Sequence, residues 1–233
     1  MIKAKAILII IFVGLAYMVQ AQQYSQMGVQ GGGAYYIGEL NQGTPFYRIQ
    51  PMYGILFRRN FNPHYSLRIG FAAANVKGDD KDSKNAYSLD RNYNFNTFIG
   101  EWSARMEFNF RSMKPKAKTS SPYLTAGLAM SVIPNTGGYP VQFIIPFGAG
   151  IKYKATKKMG IALEWTFHKT FTDNLDKLTP ETLQLADALA SEKQKTQLFN
   201  KDWYSFVGII FTFDIAGKRG LCPAYSSYHK QIR

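Results

Sequence analysis

The sequence predicts an all-β protein, an eight-stranded antiparallel transmembrane β-barrel with short periplasmic turns and longer outer loops. Three observations carry that expectation. From Gln26 onward the apolar residues recur with a period of two rather than 3.6. Many of the alternating stretches run to about 10 residues or more, as a strand crossing a bilayer needs, whereas strands of soluble domains average about 5 to 6. Aromatic residues gather near the strand ends (Tyr35, Tyr47, Phe57, Tyr65, Phe71, Phe110, Tyr153, Phe171, Trp203, Phe213), as interfacial girdles do. The last two separate the barrel from a soluble β-sandwich.

The N-terminus sets the compartment. Lys3 and Lys5 precede an apolar run from Ala6 to Val19, which ends at Val19-Gln20-Ala21 with small residues where a signal peptidase cleaves. The run falls short of the roughly 20 residues of a membrane helix. Residues 1–21 therefore read as a secretory signal peptide, 22–215 as an outer-membrane barrel and 216–233 as a periplasmic tail. Export removes cytoplasmic nucleic-acid roles, the first thought for a 233-residue chain of formal charge +13.

The strands follow in order. Met27 to Glu39 opens with Gly31-Gly32-Gly33, which no helix follows, so a phosphate loop gives way to a device for barrel curvature and closure. Tyr47 to Arg59, Tyr65 to Ala74 and Tyr123 to Ser131 alternate less cleanly. Phe98 to Phe110 carries its apolar face on even positions, with Glu101, Arg105 and Glu107 on the other. Val141 to Lys154, Ile161 to Phe171 and Trp203 to Ile215 put theirs on odd positions. With a periplasmic N-terminus, the outer connections are 40–46, 75–92, 132–140 and 172–202, and the inner ones 60–64, 111–122 and 155–160. Long outside and short inside is the asymmetry expected of such barrels. Thr179-Pro180-Glu181, followed by Leu183, Ala186, Leu189 and Ala190, predicts a capped helix in the last outer loop.

The lumen of an eight-stranded barrel is just wide enough to be filled by its own side chains. The inward parities supply Arg48, Arg68, Glu101, Arg105, Glu107, Lys152, Glu164, His168 and Asp214. Their mixed signs predict an ionic plug that stiffens the barrel rather than a conducting pore. His168, two inward positions from Glu164, is the only pair resembling catalytic equipment. With no nucleophile elbow and no metal-spaced cluster, and with His64 in an inner turn and His229 in the tail, a structural histidine is preferred and no catalytic residue, cofactor or metal is assigned.

Positive charge collects on one side. The inner turns contribute Arg58, Arg59, Arg111, Lys114, Lys116, Lys118, Lys154, Lys157 and Lys158, and the tail Lys218, Arg219, Lys230 and Arg233, with no acid among these segments. Two readings stand side by side: a face toward anionic outer-membrane lipid, or a dock for an acidic periplasmic protein. The tail favours the second. It is short, basic and tyrosine-bearing, and holds Cys222, the only cysteine, which in an oxidising compartment stays free or pairs with another molecule.

The segment Gly32-Gly33-Ala34-Tyr35-Tyr36-Ile37-Gly38-Glu39-Leu40-Asn41, the strand Trp203 to Asp214, and Arg219-Gly220-Leu221-Cys222-Pro223-Ala224-Tyr225 resemble the PorG-like outer-membrane barrels of Bacteroidota, components of the type IX secretion system. The resemblance spans essentially the whole mature chain. It implies a non-enzymatic barrel that tethers a periplasmic ring, formed by the lipoprotein PorK and its partner PorN, to the outer membrane. On that view Cys222 is the candidate for a disulfide to the ring, with Arg219 and Tyr225 as neighbouring contacts and Lys218 beside them. A surface adhesin or receptor acting through its outer loops, and a barrel enzyme acting near His168, are the alternatives.

Overall fold

A computed structural model describes residues 24–38, 41, 44–79, 81, 94–113, 118–133, 141–171 and 203–215. They form eight strands: β1 (Tyr24–Ile37), β2 (Gln50–Asn60), β3 (Tyr65–Asp79), β4 (Asn94–Asn109), β5 (Thr119–Val132), β6 (Val141–Lys154), β7 (Met159–Thr170) and β8 (Trp203–Ile215). Each pairs antiparallel with its sequence neighbours, and β1 closes on β8 from Ser25↔Ile215 to Ile37↔Trp203. Closure leaves no strand edge, the condition under which a sheet satisfies its backbone in hydrocarbon. Strand lengths run from 11 residues in β2 to 16 in β4, enough to span a bilayer with tilt.

The connections divide as the sequence predicts. At the end bearing Tyr24 and Ile215, here the terminal end, strands are joined by residues 61–64, 110–118 and 155–158; at the opposite, loop end they are joined by 38–49, 80–93, 133–140 and 171–202. Asn62 builds the first terminal-end turn, its Oδ1 accepting from the amides of His64 and Tyr65 at 2.8 Å.

The outward parity is apolar and open to the surroundings, with Tyr53, Leu128 and Phe143 all more than two-thirds exposed. A continuous apolar band of this extent is incompatible with water and marks the face that meets lipid. Inside, the barrel has two zones. Toward the loop end the lumen is itself apolar, packed with Ala34, Tyr36, Met52, Val76, Phe95, Ile99, Ile144 and Phe206. Toward the terminal end it is filled with buried charge.

β2 is the short stave. Its pairing with β3 stops at Met52↔Ala74, whereas β3 and β4 stay paired up to Asp79↔Asn94. The turn 45–48 crosses this notch, with Tyr47 Oη donating to the Asp79 carbonyl at 3.0 Å and Arg48 meeting the Asp79 carboxylate at 3.1 Å. Phe46 and Arg48 both have left-handed backbone, φ 62° and 43°. That conformation breaks the alternation before β2 begins at Gln50, so counting in twos from Tyr47 misplaces Arg48. It belongs to the rim, with a side chain 39% exposed, and not to the lumen plug. The expected signal peptide, the helix in the last outer loop and the tail from 216 lie outside the described residues.

Candidate functional site

The charged lumen is organised around three carboxylates. Glu107 of β4, wholly buried, accepts from Lys152 Nζ at 2.6 Å and the Ser66 hydroxyl at 3.0 Å, and forms ion pairs with Arg58, whose Nε is 2.7 Å away, and Arg68, whose Nε is 3.1 Å away. Glu164 of β7 receives Arg68 Nη2 at 2.8 Å, Arg105 Nη1 at 3.3 Å and the hydroxyl of Tyr123. Arg68 thus bridges both carboxylates from β3. A further pair, Lys154 Nζ with Asp214 at 2.7 Å, closes the terminal end, and Gln26 Nε2 donates to the same carboxylate at 2.8 Å. Strand alternation puts each of these groups inside because each falls on the inward parity of its own strand, and barrel curvature then aims them at one axis.

The third carboxylate, Glu101, sits where the ionic zone meets the apolar one. Its Oε2 lies 2.7 Å from His168 Nδ1 and accepts from the Tyr204 hydroxyl at 2.5 Å. The His168 ring stacks on Tyr204 with centroids 4.7 Å apart, and its Nε2 is 2.9 Å from the Thr166 hydroxyl. Glu101, His168 and Thr166 therefore line up as carboxylate, imidazole and hydroxyl, the order of a nucleophile relay. All three are at most 1% exposed, and Phe206 covers the imidazole at 4.5 Å. No substrate carbonyl reaches the Thr166 oxygen in this arrangement. His168 pairs across the lumen with Glu101 rather than along its own strand with Glu164, because Glu164 lies two inward positions back, about 13 Å along the strand, while facing strands of a narrow barrel meet tip to tip.

Of the residues expected in the plug, Arg68, Glu101, Arg105, Glu107, Glu164 and His168 are brought together, and Arg48 is not. Arg58 moves the other way. Expected in the first inner turn as a docking residue, it is buried in the lumen with Nη2 donating to Glu107 at 3.1 Å. The sequence held the signal, since Arg58 shares the even parity of Met52 and Leu56, and β2 runs on to Asn60. Lys154 is likewise withdrawn from the turn surface onto Asp214. Arg59, Lys118, Lys157 and Lys158 are exposed at the terminal end, with Arg111 beside them. Lys114, Lys116, Lys218, Arg219, Cys222 and Tyr225 lie outside the described residues.

Tyr123, Tyr204 and Gln26 were not singled out from sequence, yet each donates to a lumen carboxylate. Their inward parity was the available signal. Two cavities left in the ionic zone measure about 20 and 10 Å³, room for about one water each. Four cations (Arg58, Arg68, Arg105, Lys152) face three carboxylates among the described residues of this cluster. Arg68 Nη1, Arg105 Nε and Glu101 Oε1 have no hydrogen-bond partner. Such an array ties strands β2, β3, β4, β6 and β7 together across the lumen.

A family model described as "Domain of unknown function (DUF6089)" matches residues 5–224. The chain belongs to the DUF6089 family. No curated protein matches this DUF6089 chain. Among solved structures it is similar to the N-terminal β-barrel domain of Pseudomonas aeruginosa OprF, at 15% identity and TM-score 0.44, covering 82% of this chain and 100% of that one. It is also similar to Neisserial surface protein A, at 10% identity and TM-score 0.48, covering 84% and 98%. The outer membrane enzyme PagL is similar at 9% identity and TM-score 0.38, covering 82% and 99%. These are likenesses of chain path only. The fold of this DUF6089 protein is a closed eight-stranded antiparallel barrel of the outer-membrane kind.

Proposed function

We propose that this chain is a non-enzymatic outer-membrane barrel that anchors a periplasmic protein assembly, and that the assembly is the ring of the type IX secretion system. The observation that carries the anchoring reading is the separation of charge. Carboxylates of the barrel are spent inside on Arg58, Arg68, Arg105, Lys152 and Lys154, while the terminal end exposes Arg59, Arg111, Lys118, Lys157 and Lys158 with no exposed acid among the described residues there. A surface of one sign steers and orients an acidic partner. The assignment to secretion rests on the resemblance of the first strand and the Arg219 to Tyr225 segment to PorG-like barrels. In that reading residues 1–21 direct export and the terminal end faces the periplasm, where Cys222 pairs with a PorK/PorN-like lipoprotein complex.

The test is non-reducing electrophoresis of detergent-extracted outer membranes from cells bearing the native chain, Cys222→Ser, or Lys157→Glu with Lys158→Glu, with mass spectrometry of any adduct. A cysteine-dependent adduct with a periplasmic lipoprotein, weakened by the charge reversal, is expected. A chain that co-purifies with no periplasmic protein would sink the reading and shift attention to the outer loops.

A further inference from the structure

We infer that the outer wall over β4 to β7 carries a site for one anionic phospholipid of the leaflet at the terminal end. The most spacious cavity described lies outside the barrel, at about 1020 Å³, beyond the usual range of about 300–1,000 Å³ for ligand pockets. It is a groove. Its floor is Ala126 of β5 and Ala149 of β6, the small outward residues where neighbours are large. One wall is Met106 and Phe108, registered against Ala126 and Leu124; the other is Trp165 and Phe167, registered against Ala149 and Phe147. Ala126 faces Phe147 and Ala149 faces Leu124, so the two alanines lie diagonally across the β5–β6 pair, each the one small side chain in a row of large ones, and together they open an oblique furrow between the walls.

The occupant follows from what stands at the mouth. Toward the terminal end the furrow passes an aromatic girdle, Tyr65, Phe108 and Phe110, with successive centroids 5.2 and 5.3 Å apart. Just beyond it stand two exposed cations. Arg111 follows Phe110 directly and is fixed by its amide donating to Ser121 Oγ at 2.8 Å. Lys118 is fixed at the foot of β5 by its amide donating to the Lys154 carbonyl at 2.7 Å. An apolar furrow, an aromatic girdle and a cation pair in that order match acyl chain, glycerol region and phosphate. A second copy of this chain does not fit: two concave faces are not self-complementary, and a two-fold contact in the membrane would bring Arg111 and Lys118 toward their own copies. The inference goes beyond the anchoring proposal and does not depend on any ring.

Delipidated full-length protein in mild detergent is offered dioleoyl phosphatidylglycerol or phosphatidylcholine, and native mass spectrometry counts retained lipid. One phosphatidylglycerol adduct is expected to outlast phosphatidylcholine, and Arg111→Gln and Lys118→Gln should each cut that preference about fivefold. Filling the floor with Ala149→Phe should lower retention of both lipids by about tenfold or more. Ala73→Phe, on the outward face of β3 away from the furrow, should leave retention unchanged, and heat-modifiable migration shows which variants are folded. Equal retention in native and Ala149→Phe protein would reduce the furrow to general solvation by lipid. A dimer lost in Ala149→Phe would make it a subunit contact, and either result overturns the site.

Discussion

Glu107 is the residue on which most of the lumen depends. It neutralises Arg58, Arg68 and Lys152 together, so Glu107→Gln leaves three buried cations facing one another without their counter-charge. The expected loss is about 3–5 kcal/mol, the usual cost of breaking a buried ionic cluster on one side. Asp79→Asn, which releases the half-exposed Arg48, should cost at most about 1 kcal/mol. Urea unfolding of the barrel in lipid vesicles, followed by tryptophan fluorescence, ranks the two; similar midpoints would contradict the buried network. His168→Gln belongs at this scale as well. With Glu101 and Thr166 buried beside it, the substitution should leave recovery of any periplasmic partner unchanged, and a lost cellular activity with folded protein would revive the enzyme reading. The membership of most plug residues was legible, because parity alone decides which side chain enters a lumen. Which partner each one finds was not, since Arg68 joins Glu107 and Glu164 from strands far apart in sequence.

At the scale of an element, the seam between β1 and β8 shows what the glycine run is for. Gly32 faces Gly208 in the register, and a Cβ at Gly32 would stand 2.1 Å from the Val207 carbonyl oxygen and 2.5 Å from the Gly208 Cα. Backbone, rather than a movable side chain, occupies that space. Gly31 next to it has nothing within 4 Å. Gly32→Ala should therefore reduce the folded, heat-modifiable fraction on semi-native gels, while Gly31→Ala should not; equal behaviour would mean that the seam yields. The expectation of a closure device thus narrows to Gly32, where neighbouring backbone fills the space, and Gly33, whose Cβ would meet Ile49 Cγ2 at 2.4 Å. Outside the same seam, Trp165 Nε1 donates to Tyr35 Oη at 3.1 Å and Ser205 Oγ at 2.9 Å, and Phe46 stacks on the indole at 5.4 Å. Removing the donor with Trp165→Phe should cost about 1 kcal/mol in the same unfolding measurement. These contacts were illegible beforehand, because a left-handed Phe46 breaks the strand pattern that sequence reading follows.

For the whole molecule, the two-zone lumen sets the expected electrical behaviour. Apolar packing toward the loop end and ion pairs toward the terminal end leave cavities of about one water in the charged zone. Purified protein in planar bilayers should show no sustained open level of the kind that wide porins give, and a stable ohmic channel would mean that the plug is displaced. The exposed cations act at the same scale. Binding of an acidic partner through Arg59, Lys157 and Lys158 should weaken as salt rises from about 0.1 to 1 M, where the screening length falls from about 10 to 3 Å. Salt-independent recovery would point instead to the tail alone.

Period-two patterning, strand length and connection asymmetry were enough to determine an even-stranded barrel, the sides of its wall and the sign of its exposed charge. Each depends on a local rule that every residue obeys with its neighbours. Only the tertiary structure decided that Arg58 and Lys154 turn inward, that His168 answers to Glu101, and that Ala126 and Ala149 open a furrow between Met106 and Phe108 on one side and Trp165 and Phe167 on the other. Those outcomes depend on register and closure, which bring together residues from different strands at one height, and no single strand carries that information.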